Sequence, residues 1–314
     1  MLKIEPRKNR SNFLEVSAPV IAVFLTMIFG GFLFLSMGKN PFEAIKLIFW
    51  DPIMSPTFSE YSRPQLVIKA APLILIALGL SFGFRANIWN IGAEGQYIMG
   101  ALISGSIGLA LYPLDSMFIF PLMILGGIIG GIFWAMIPAI LKIRFNTNEI
   151  LVSLMLVYVA EQILALASVG FLRNPEGLGF PGSRDLSKYP SAANPELIAN
   201  SGIHMGVIFS IIAVIVLTYF LIYHRLGFQI KLLGQAPKAS KFSGVNSNYI
   251  IIFCLGLSGG LAGVAGMFEL TGPAGLINID FNVGYGFTAI IVAFLGRLHP
   301  IGILFAGLLM SLTY

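Results

Sequence analysis

The sequence predicts an all-α protein that crosses a membrane several times, and three observations support this class. Of the 314 residues, 57% are hydrophobic and only 11% are Asp, Glu, Lys or Arg, with a mean hydropathy of +0.87. A soluble domain carries roughly 25% charged residues. The apolar residues fall into long charge-free runs, which is typical of membrane-spanning helices. The single cysteine, Cys254, excludes a disulfide scaffold, and the net charge of +5 is not gathered on a polar domain, which argues against nucleic acid as a partner.

Nine charge-free runs give the predicted spans. A helix that crosses the hydrocarbon core needs about 20 residues, so we expect about nine transmembrane helices in a single domain over residues 1–314, some of them short or broken. One run, 150–172, is interrupted only by Glu161. The runs are 17–37, 70–84, 95–114, 116–141, 150–172, 205–223, 242–268, 281–296 and 298–314.

Two of these runs are too short to cross a membrane as straight helices. At 1.5 Å per residue, runs 70–84 and 281–296 cover about 22 and 24 Å of a hydrocarbon core that is roughly 30 Å thick. One lies early in the chain and the other late, and an Arg follows each. Paired short helices in two halves of a chain indicate a transport path near the middle of the membrane.

The distribution of Lys and Arg predicts the orientation, because cytoplasmic loops are enriched in both. With a cytoplasmic N-terminus and every run crossing, twelve of the nineteen cations lie inside and seven outside. Segment 225–241 is the most basic inner stretch, with four cations and no acidic residue. The assignment reverses downstream of run 70–84 or 281–296 if that run enters and leaves on one side. The inner cations are Lys3, Arg7, Lys8, Arg10, Arg85, Lys142, Arg144, Arg225, Lys231, Lys238, Lys241 and Arg297.

Two outer segments carry further predictions. Segment 40–50 places Pro41 at a helix start and its apolar residues on one stripe, which predicts a short amphipathic helix at the membrane surface. Segment 173–203 contains four Pro and four Gly, which predicts an irregular, exposed loop.

Catalytic and metal-binding patterns are absent from the sequence. There is no GxxxxGK[ST] phosphate loop, no metal-ligand spacing and no visible nucleophile–base arrangement, so we expect no enzyme activity and no cofactor in this chain. Residues 257–260 read LSGG, as in ATPase signatures, but they lie inside an apolar run. We interpret these glycines as helix packing, together with the pairs Gly127/Gly131 and Gly259/Gly263.

Polar residues within the apolar runs are candidates for function. An ionisable group at membrane depth costs about 2.5–3.5 kcal/mol, which makes Glu94, Glu161 and Glu269 conspicuous. For Glu269, snorkelling to the outer interface is an equal explanation. Segment 85–96, RANIWNIGAEGQ, is too long and too apolar for a simple turn, so we expect it to fold back between helices. We expect the solute path or its gate to involve Asn87, Trp89, Asn90, Glu94, Gln96 and Glu161.

Several stretches of the chain together resemble a known family. Residues 79–102 read GLSFGFRANIWNIGAEGQYIMGAL, which is similar to the hallmark segment of ABC importer permeases of the branched-chain amino acid, ribose and nucleoside superfamily. Segment 38–49, GKNPFEAIKLIF, and segment 296–309, GRLHPIGILFAGLL, resemble the purine-nucleoside and simple-sugar branch. The resemblance covers roughly residues 38–310.

The resemblance implies a function and a set of partners. It implies the membrane-spanning subunit of an ATP-driven importer, which moves a nucleoside or simple sugar across the bacterial inner membrane by alternating access. A second permease subunit, identical or different, an ATPase that holds ATP and Mg²⁺ on the cytoplasmic side, a substrate-binding lipoprotein outside and membrane lipid are the implied partners. Asn87, Trp89 and Asn90 would suit either type of solute by stacking and hydrogen bonding.

The same resemblance implies where the ATPase binds. Lys238, Ala239, Ser240 and Gly244 stand at the spacing of the importer EAA-xxx-G motif. Lys replaces the motif's Glu and Ser replaces its second Ala, so the motif's charged contact is missing. Gly234 and Gln235 lie in the same implied coupling loop.

Two further expectations complete the sequence interpretation. Members of the family continue for about one more helix, so we expect a chain truncated at Tyr314 and a complete protein with ten spans. Two other functions are weighed against the importer. An ion-coupled secondary transporter would use Glu161 or Glu94 as its ion site, and a membrane enzyme or assembly scaffold would show no solute flux.

Overall fold

The structure, a computed structural model, describes residues 12–199 and 201–314 and divides into two compact units, which meet in sequence between Arg63 and Pro64. Both units are helical, and the described residues contain no β-strand beyond an isolated bridge between Glu196 and His204. The all-α prediction is therefore confirmed for this part of the chain. The predicted inner cations Lys3, Arg7, Lys8 and Arg10 lie outside the described residues.

The first unit consists of one long apolar helix and a short broken one. Helix α1 (Asn12–Ser36) exposes its large apolar side chains, as a helix surrounded by lipid does. Helix α2 (Pro41–Ile45) starts with Pro41 and is capped by Asn40, whose Oδ1 accepts from the Phe42 N–H. A π-helical turn (Lys46–Trp50) and α3 (Asp51–Met54) continue it, so the predicted short helix over 40–50 is confirmed.

Helix α4 (Ser59–Arg85) corrects one prediction. Run 70–84 was expected to be a short or broken span, but it is the second half of a continuous 27-residue helix. At 1.5 Å per residue this helix is about 40 Å long, more than enough to cross the membrane. The sequence estimate failed because Lys69 ended the charge-free run, whereas the structure supplies Lys69 with a partner inside the protein.

The second unit places α4 and two other helices at its centre. Helices α5 (Ala93–Ala110) and α11 (Ser247–Thr271) are mostly buried, whereas α6 (Ile119–Phe145), α7 (Glu149–Val169) and α8 (Met205–Tyr223) expose large apolar side chains. Within the described residues, six helices are long and apolar enough to cross a membrane: α1, α4, α6, α7, α8 and α11.

Glycine backbones set the close packing of α5, α6 and α11. A Cβ atom on Gly263 would overlap the Gly127 carbonyl oxygen, and one on Gly131 would overlap the Gly259 carbonyl oxygen. The LSGG segment is therefore part of a helix-packing surface, as predicted. We call Gly127, Gly131, Gly259 and Gly263 the glycine junction.

The remaining helices are short. Helices α9 (Arg225–Gln235) and α10 (Pro237–Phe242) follow α8, and α12 (Tyr285–Leu295) and α13 (Pro300–Ser311) form a hairpin that closes the described chain. The 11 residues of α12 confirm that run 281–296 is too short to cross the membrane as a helix.

The loop over residues 173–203 is irregular, as predicted, but it is not wholly exposed. It contains one 3₁₀ turn (Leu186–Lys188), and Leu186, Tyr189 and Ala192 are buried. The Tyr189 hydroxyl donates to the carbonyl oxygens of Leu111 and Leu114, so the loop is anchored on the end of α5.

Candidate functional site

The segment between α4 and α5 folds back into the protein, as the sequence predicted. Asn87 adopts a left-handed conformation (φ 59°), and the Ile88 N–H donates to the Gly83 carbonyl oxygen at 2.8 Å. Ile88 and Asn90 are both buried. Asn tolerates positive φ better than most residues, so it suits the position at which the chain reverses.

Asn90 and Gln96 form a closed amide pair. Asn90 Nδ2 donates to Gln96 Oε1 at 2.9 Å, and Gln96 Nε2 donates back to Asn90 Oδ1 at 3.2 Å. Asn90 also donates to Ser258 Oγ on α11 at 2.9 Å. These bonds use both side chains to hold the turn against α11, which leaves them little capacity for a solute.

Asn87 and Trp89 lie beside the buried pair at the Arg85 end of α4. Trp89 Nε1 donates to Asn87 Oδ1 at 3.1 Å, and the Trp89 ring stacks with Phe294 of α12 at 5.8 Å between centroids. Asn87 is exposed and Trp89 is half-buried. Of the predicted path residues, Asn87 is therefore the one that is exposed, and Trp89 is half-buried like Glu161.

Glu94 binds the first turn of α12. The N–H groups of Gly284 (3.2 Å) and Gly286 donate to its two carboxylate oxygens, and its side chain is completely buried. A helix N-terminus has unpaired N–H groups and a partial positive charge, both of which favour a carboxylate. Glu94 thus holds the short helix α12 in place from the start of α5.

Glu161 reaches the same segment from α7. Asn282 Nδ2 donates to Glu161 Oε1 at 2.7 Å, while the Gly284 N–H also approaches Asn282 Oδ1 at 3.3 Å. Two of the predicted carboxylates, far apart in sequence, therefore meet at the residues that lead into α12.

A charged and aromatic cluster lies at the same helix start, and the sequence interpretation missed most of it. Lys69 Nζ lies 3.8 Å from Glu269 Oε1 and 5.7 Å from the centre of the Tyr285 ring. Tyr97 packs edge-on against Tyr285. Glu269 is 5% exposed, so the snorkelling explanation is wrong: its carboxylate is paired inside the protein. The signal in the sequence that could have revealed this cluster was Lys69, a charged residue within a long apolar stretch.

One polar atom of this cluster, the Tyr97 hydroxyl, is buried without a hydrogen-bond partner among the described residues. The Tyr285 hydroxyl and Glu269 Oε2 also lack a hydrogen bond of normal geometry, but these two side chains lie close enough to interact with each other. An unpaired polar atom in a protein interior costs about 1–3 kcal/mol, so such atoms call for an explanation. We call this region the α12 entry; it comprises Lys69, Glu94, Tyr97, Glu161, Glu269, Asn282 and Tyr285.

The residues of the implied coupling loop differ in accessibility. Lys238, Ala239 and Gly244 are exposed, and so is Gln235. Ser240 departs from the expectation, because it is fully buried and faces its own chain. Gly234 is half-buried against the Arg85 carbonyl oxygen, where a Cβ atom would overlap it, which gives this glycine a packing function.

No metal site is found in the part of the chain that the structure describes, since nowhere there do three or more His, Cys, Asp or Glu side chains converge. Cys254 is buried in α11.

Comparison with known proteins identifies the family. A glucose ABC transporter permease protein, TsgB13 of Haloferax volcanii, is 29% identical over all of this chain and 83% of its own length. The nucleoside ABC transporter permease protein NupB of Lactococcus lactis subsp. cremoris is 29% identical (95% of this chain, 82% of its own). The guanosine ABC transporter permease protein NupP of Bacillus subtilis is 26% identical (93% and 83%). No solved structure matches the chain.

The family model described as "Branched-chain amino acid transport system / permease component" matches residues 63–314, which include all of the α12 entry. Proteins of this kind are multi-pass subunits of the inner membrane that work with an ATPase and a substrate-binding protein, and they are not enzymes themselves. The chain belongs to this family of ABC transporter permeases.

Proposed function

We propose that this chain imports a nucleoside or a simple sugar by alternating access between the two sides of the membrane. The names of the three relatives support this substrate class, since they specify glucose, nucleosides and guanosine. The chemistry of the α12 entry also supports it, because the Tyr97 hydroxyl has no partner among the described residues and polar groups of Lys69, Glu269 and Tyr285 lie in the same cluster. Such solutes are oriented in a binding site by a small number of polar groups.

In this proposal the α12 entry lines the path or its gate. Glu94 and Glu161 position the start of α12, and Asn90 and Gln96 act indirectly by fixing the turn before α5. Asn87 and Trp89 belong to the accessible Arg85 end of the path. The second permease subunit, identical or not, supplies the facing wall.

We further propose that the N-terminus is cytoplasmic and that the ATPase binds to α10, to the last residues of α9, Gly234 and Gln235, and to Gly244 after α10. The observation that supports this part is the surface of α10. Phe242 is 94% exposed there, directly after Lys241 and in the same short helix as Lys238, although a large aromatic side chain is normally buried. An exposed ring among cations is typical of a surface that a partner covers.

Cysteine crosslinking tests this docking site. Phe242→Cys should form an adduct with the ATPase in the assembled complex, because the side chain points away from its own chain. Phe180→Cys is the matched control: Phe180 is 76% exposed on the predicted outer loop and should give none. The native Cys254 is buried and adds little background. Adducts at Phe180 and none at Phe242 would reverse the proposed orientation.

The ion-coupled alternative rests on Glu94 and Glu161. The structure gives both carboxylates protein partners, which accounts for them without a bound ion. Uptake into vesicles that contain the assembled complex distinguishes the two mechanisms. Uptake by an ATP-driven importer requires ATP and continues after the ion gradients have been dissipated. Ion-coupled uptake stops when the gradients are dissipated.

A further inference from the structure

A basic cleft lies at the Arg85 end of the second unit, away from the α12 entry. It has a volume of about 310 Å³ and opens between α8, α9 and the turn that joins α12 to α13. Its polar side chains include Arg85, Lys231 and His299, and no Asp or Glu is among the described residues that line it. The volume is at the lower end of the roughly 300–1,000 Å³ of small-molecule sites.

Arg85 is fixed in this cleft without a counter-charge. Its Nε donates to the Leu298 carbonyl oxygen at 2.9 Å, which orients the guanidinium group. Its two terminal nitrogens have no hydrogen bond or ion pair to any other described residue. An oriented guanidinium with free N–H groups is well suited to bind a phosphate, which accepts two parallel hydrogen bonds.

One further charged group, Lys231, adds to the positive potential of the cleft, and His299 responds to that potential. Lys231 is exposed on α9 and has no ion pair among the described residues. Partial burial and the neighbouring Arg85 charge lower the pKa of His299, which shows that the cleft disfavours additional positive charge. A cleft with this potential attracts anions.

The surroundings of the cleft favour a lipid over a soluble anion. Ile222 at the end of α8 and Phe228 on α9 border it, and both are largely exposed apolar side chains. A headgroup bound between Arg85 and Lys231 would place its acyl chains along this apolar border. Basic pockets at the cytoplasmic ends of membrane helices suit anionic headgroups.

We propose that this cleft binds the phosphate group of an anionic membrane lipid. Arg85 and Lys231 hold the phosphate, and Ile222 and Phe228 contact the acyl chains. The proposal rests on the proposed orientation only in assigning the lipid to the cytoplasmic leaflet. The binding itself requires neither the ATPase nor transport.

Native mass spectrometry of the purified full chain tests the proposal. The chain should bind dioleoyl phosphatidylglycerol more tightly than dioleoyl phosphatidylcholine. Lys231→Gln should weaken phosphatidylglycerol binding about fivefold, the change that corresponds to about 1 kcal/mol for one cation near an anionic lipid surface. The matched control is Lys241→Gln, which removes an exposed cation of α10 outside the cleft and should leave the affinity unchanged.

Three results would overturn the proposal. They are equal affinity for the two lipids, equal losses in the Lys231 and Lys241 variants, and displacement of phosphatidylglycerol by inorganic phosphate, which would make the cleft a site for soluble anions. Because the measurement uses the chain alone, its failure is distinct from a failure of the Phe242 crosslink, which would contradict the proposed ATPase site.

Discussion

The glycine junction and the α12 entry pack by opposite means: the first by contact between backbones, the second by contacts between polar side chains. At the junction, α6 and α11 approach until backbone contacts backbone, and no charged group takes part. At the α12 entry, a lysine, three glutamates, two tyrosines and a helix N-terminus converge, and the Tyr97 hydroxyl remains without a partner among the described residues. The first region gains stability from close contact, whereas the second keeps groups that can form new bonds.

In the proposed function, this difference separates a fixed region from a region that takes part in transport. A junction without side chains has one good arrangement, because any shift loses contacts along the whole interface. The α12 entry depends on a few directed bonds to a helix of 11 residues, and such bonds can be exchanged for bonds to a solute. Four substitutions test the contrast.

The largest effect is expected at Glu94. Glu94→Ala leaves the N–H groups of Gly284 and Gly286 buried without an acceptor. Since each such donor costs about 1–3 kcal/mol, we expect a loss of about 4 kcal/mol of stability and no transport. Glu94→Gln retains one acceptor oxygen and should recover part of the loss. The measurement is the thermal unfolding midpoint with uptake into vesicles; an Ala variant as stable as wild type would show that α12 does not depend on this cap.

The next largest effect is expected for the buried ion pair. Lys69→Met leaves the Glu269 carboxylate buried and uncompensated, which should cost about 2–3 kcal/mol, because Lys69 retains some exposure to solvent. Lys69→Met combined with Glu269→Gln should regain most of it. The matched control is Lys46→Met, which removes an exposed pair with Asp51 and should cost less than about 1 kcal/mol. If Lys69→Met and Lys46→Met lowered the unfolding midpoint equally, the buried pair of Lys69 would contribute no more to stability than the exposed pair of Lys46.

A smaller loss is expected at the glycine junction. Gly263→Ala places a methyl group against the Gly127 carbonyl, which should cost about 2 kcal/mol through separation of the helices. Gly256→Ala in the same helix meets only the end of the Met136 side chain, at 3.3 Å, and should be tolerated. Thermal unfolding of both variants makes the comparison, and similar behaviour of the two would contradict a backbone-to-backbone junction.

The smallest effect on stability is expected at Tyr97. Tyr97→Phe removes a buried hydroxyl that has no partner among the described residues, so stability should stay the same or rise slightly while uptake falls. Tyr189→Phe removes a hydroxyl that donates to two carbonyl oxygens and should cost about 1 kcal/mol. Unchanged uptake in the Tyr97 variant would exclude its hydroxyl from the solute path.

Much of the fold could be predicted from composition and spacing. Run 205–223 has the same bounds as α8, and the glycine spacing predicted the junction, because both depend on local patterns. The predictions that failed concerned charged residues. The predicted span ended at Lys69, although α4 continues beyond it, and Glu269 was given snorkelling as an equal explanation. Both errors arose because the sequence around a charged residue does not reveal a partner that is distant in the chain.

The candidate site was predicted only in part for the same reason. Glu94 and Glu161 were conspicuous on their own, since a carboxylate in an apolar run needs an explanation. Their convergence on Gly284 and Asn282 depends on how helices pack, and Asn282 gave no signal in the sequence. Asn90 and Gln96 have side chains suited to binding a solute, but these side chains form hydrogen bonds with each other.

The sequence by itself determined that this protein is a helical membrane permease, because hydropathy, charge content and the NIGAEGQ segment are properties of contiguous residues. Only the tertiary structure decided which polar groups are paired and which are unpaired. That outcome depends on distances between helices up to 200 positions apart, such as the one from Lys69 to Glu269. In a medium without water, the partner of each charge determines whether it stabilises the fold or is available for a solute.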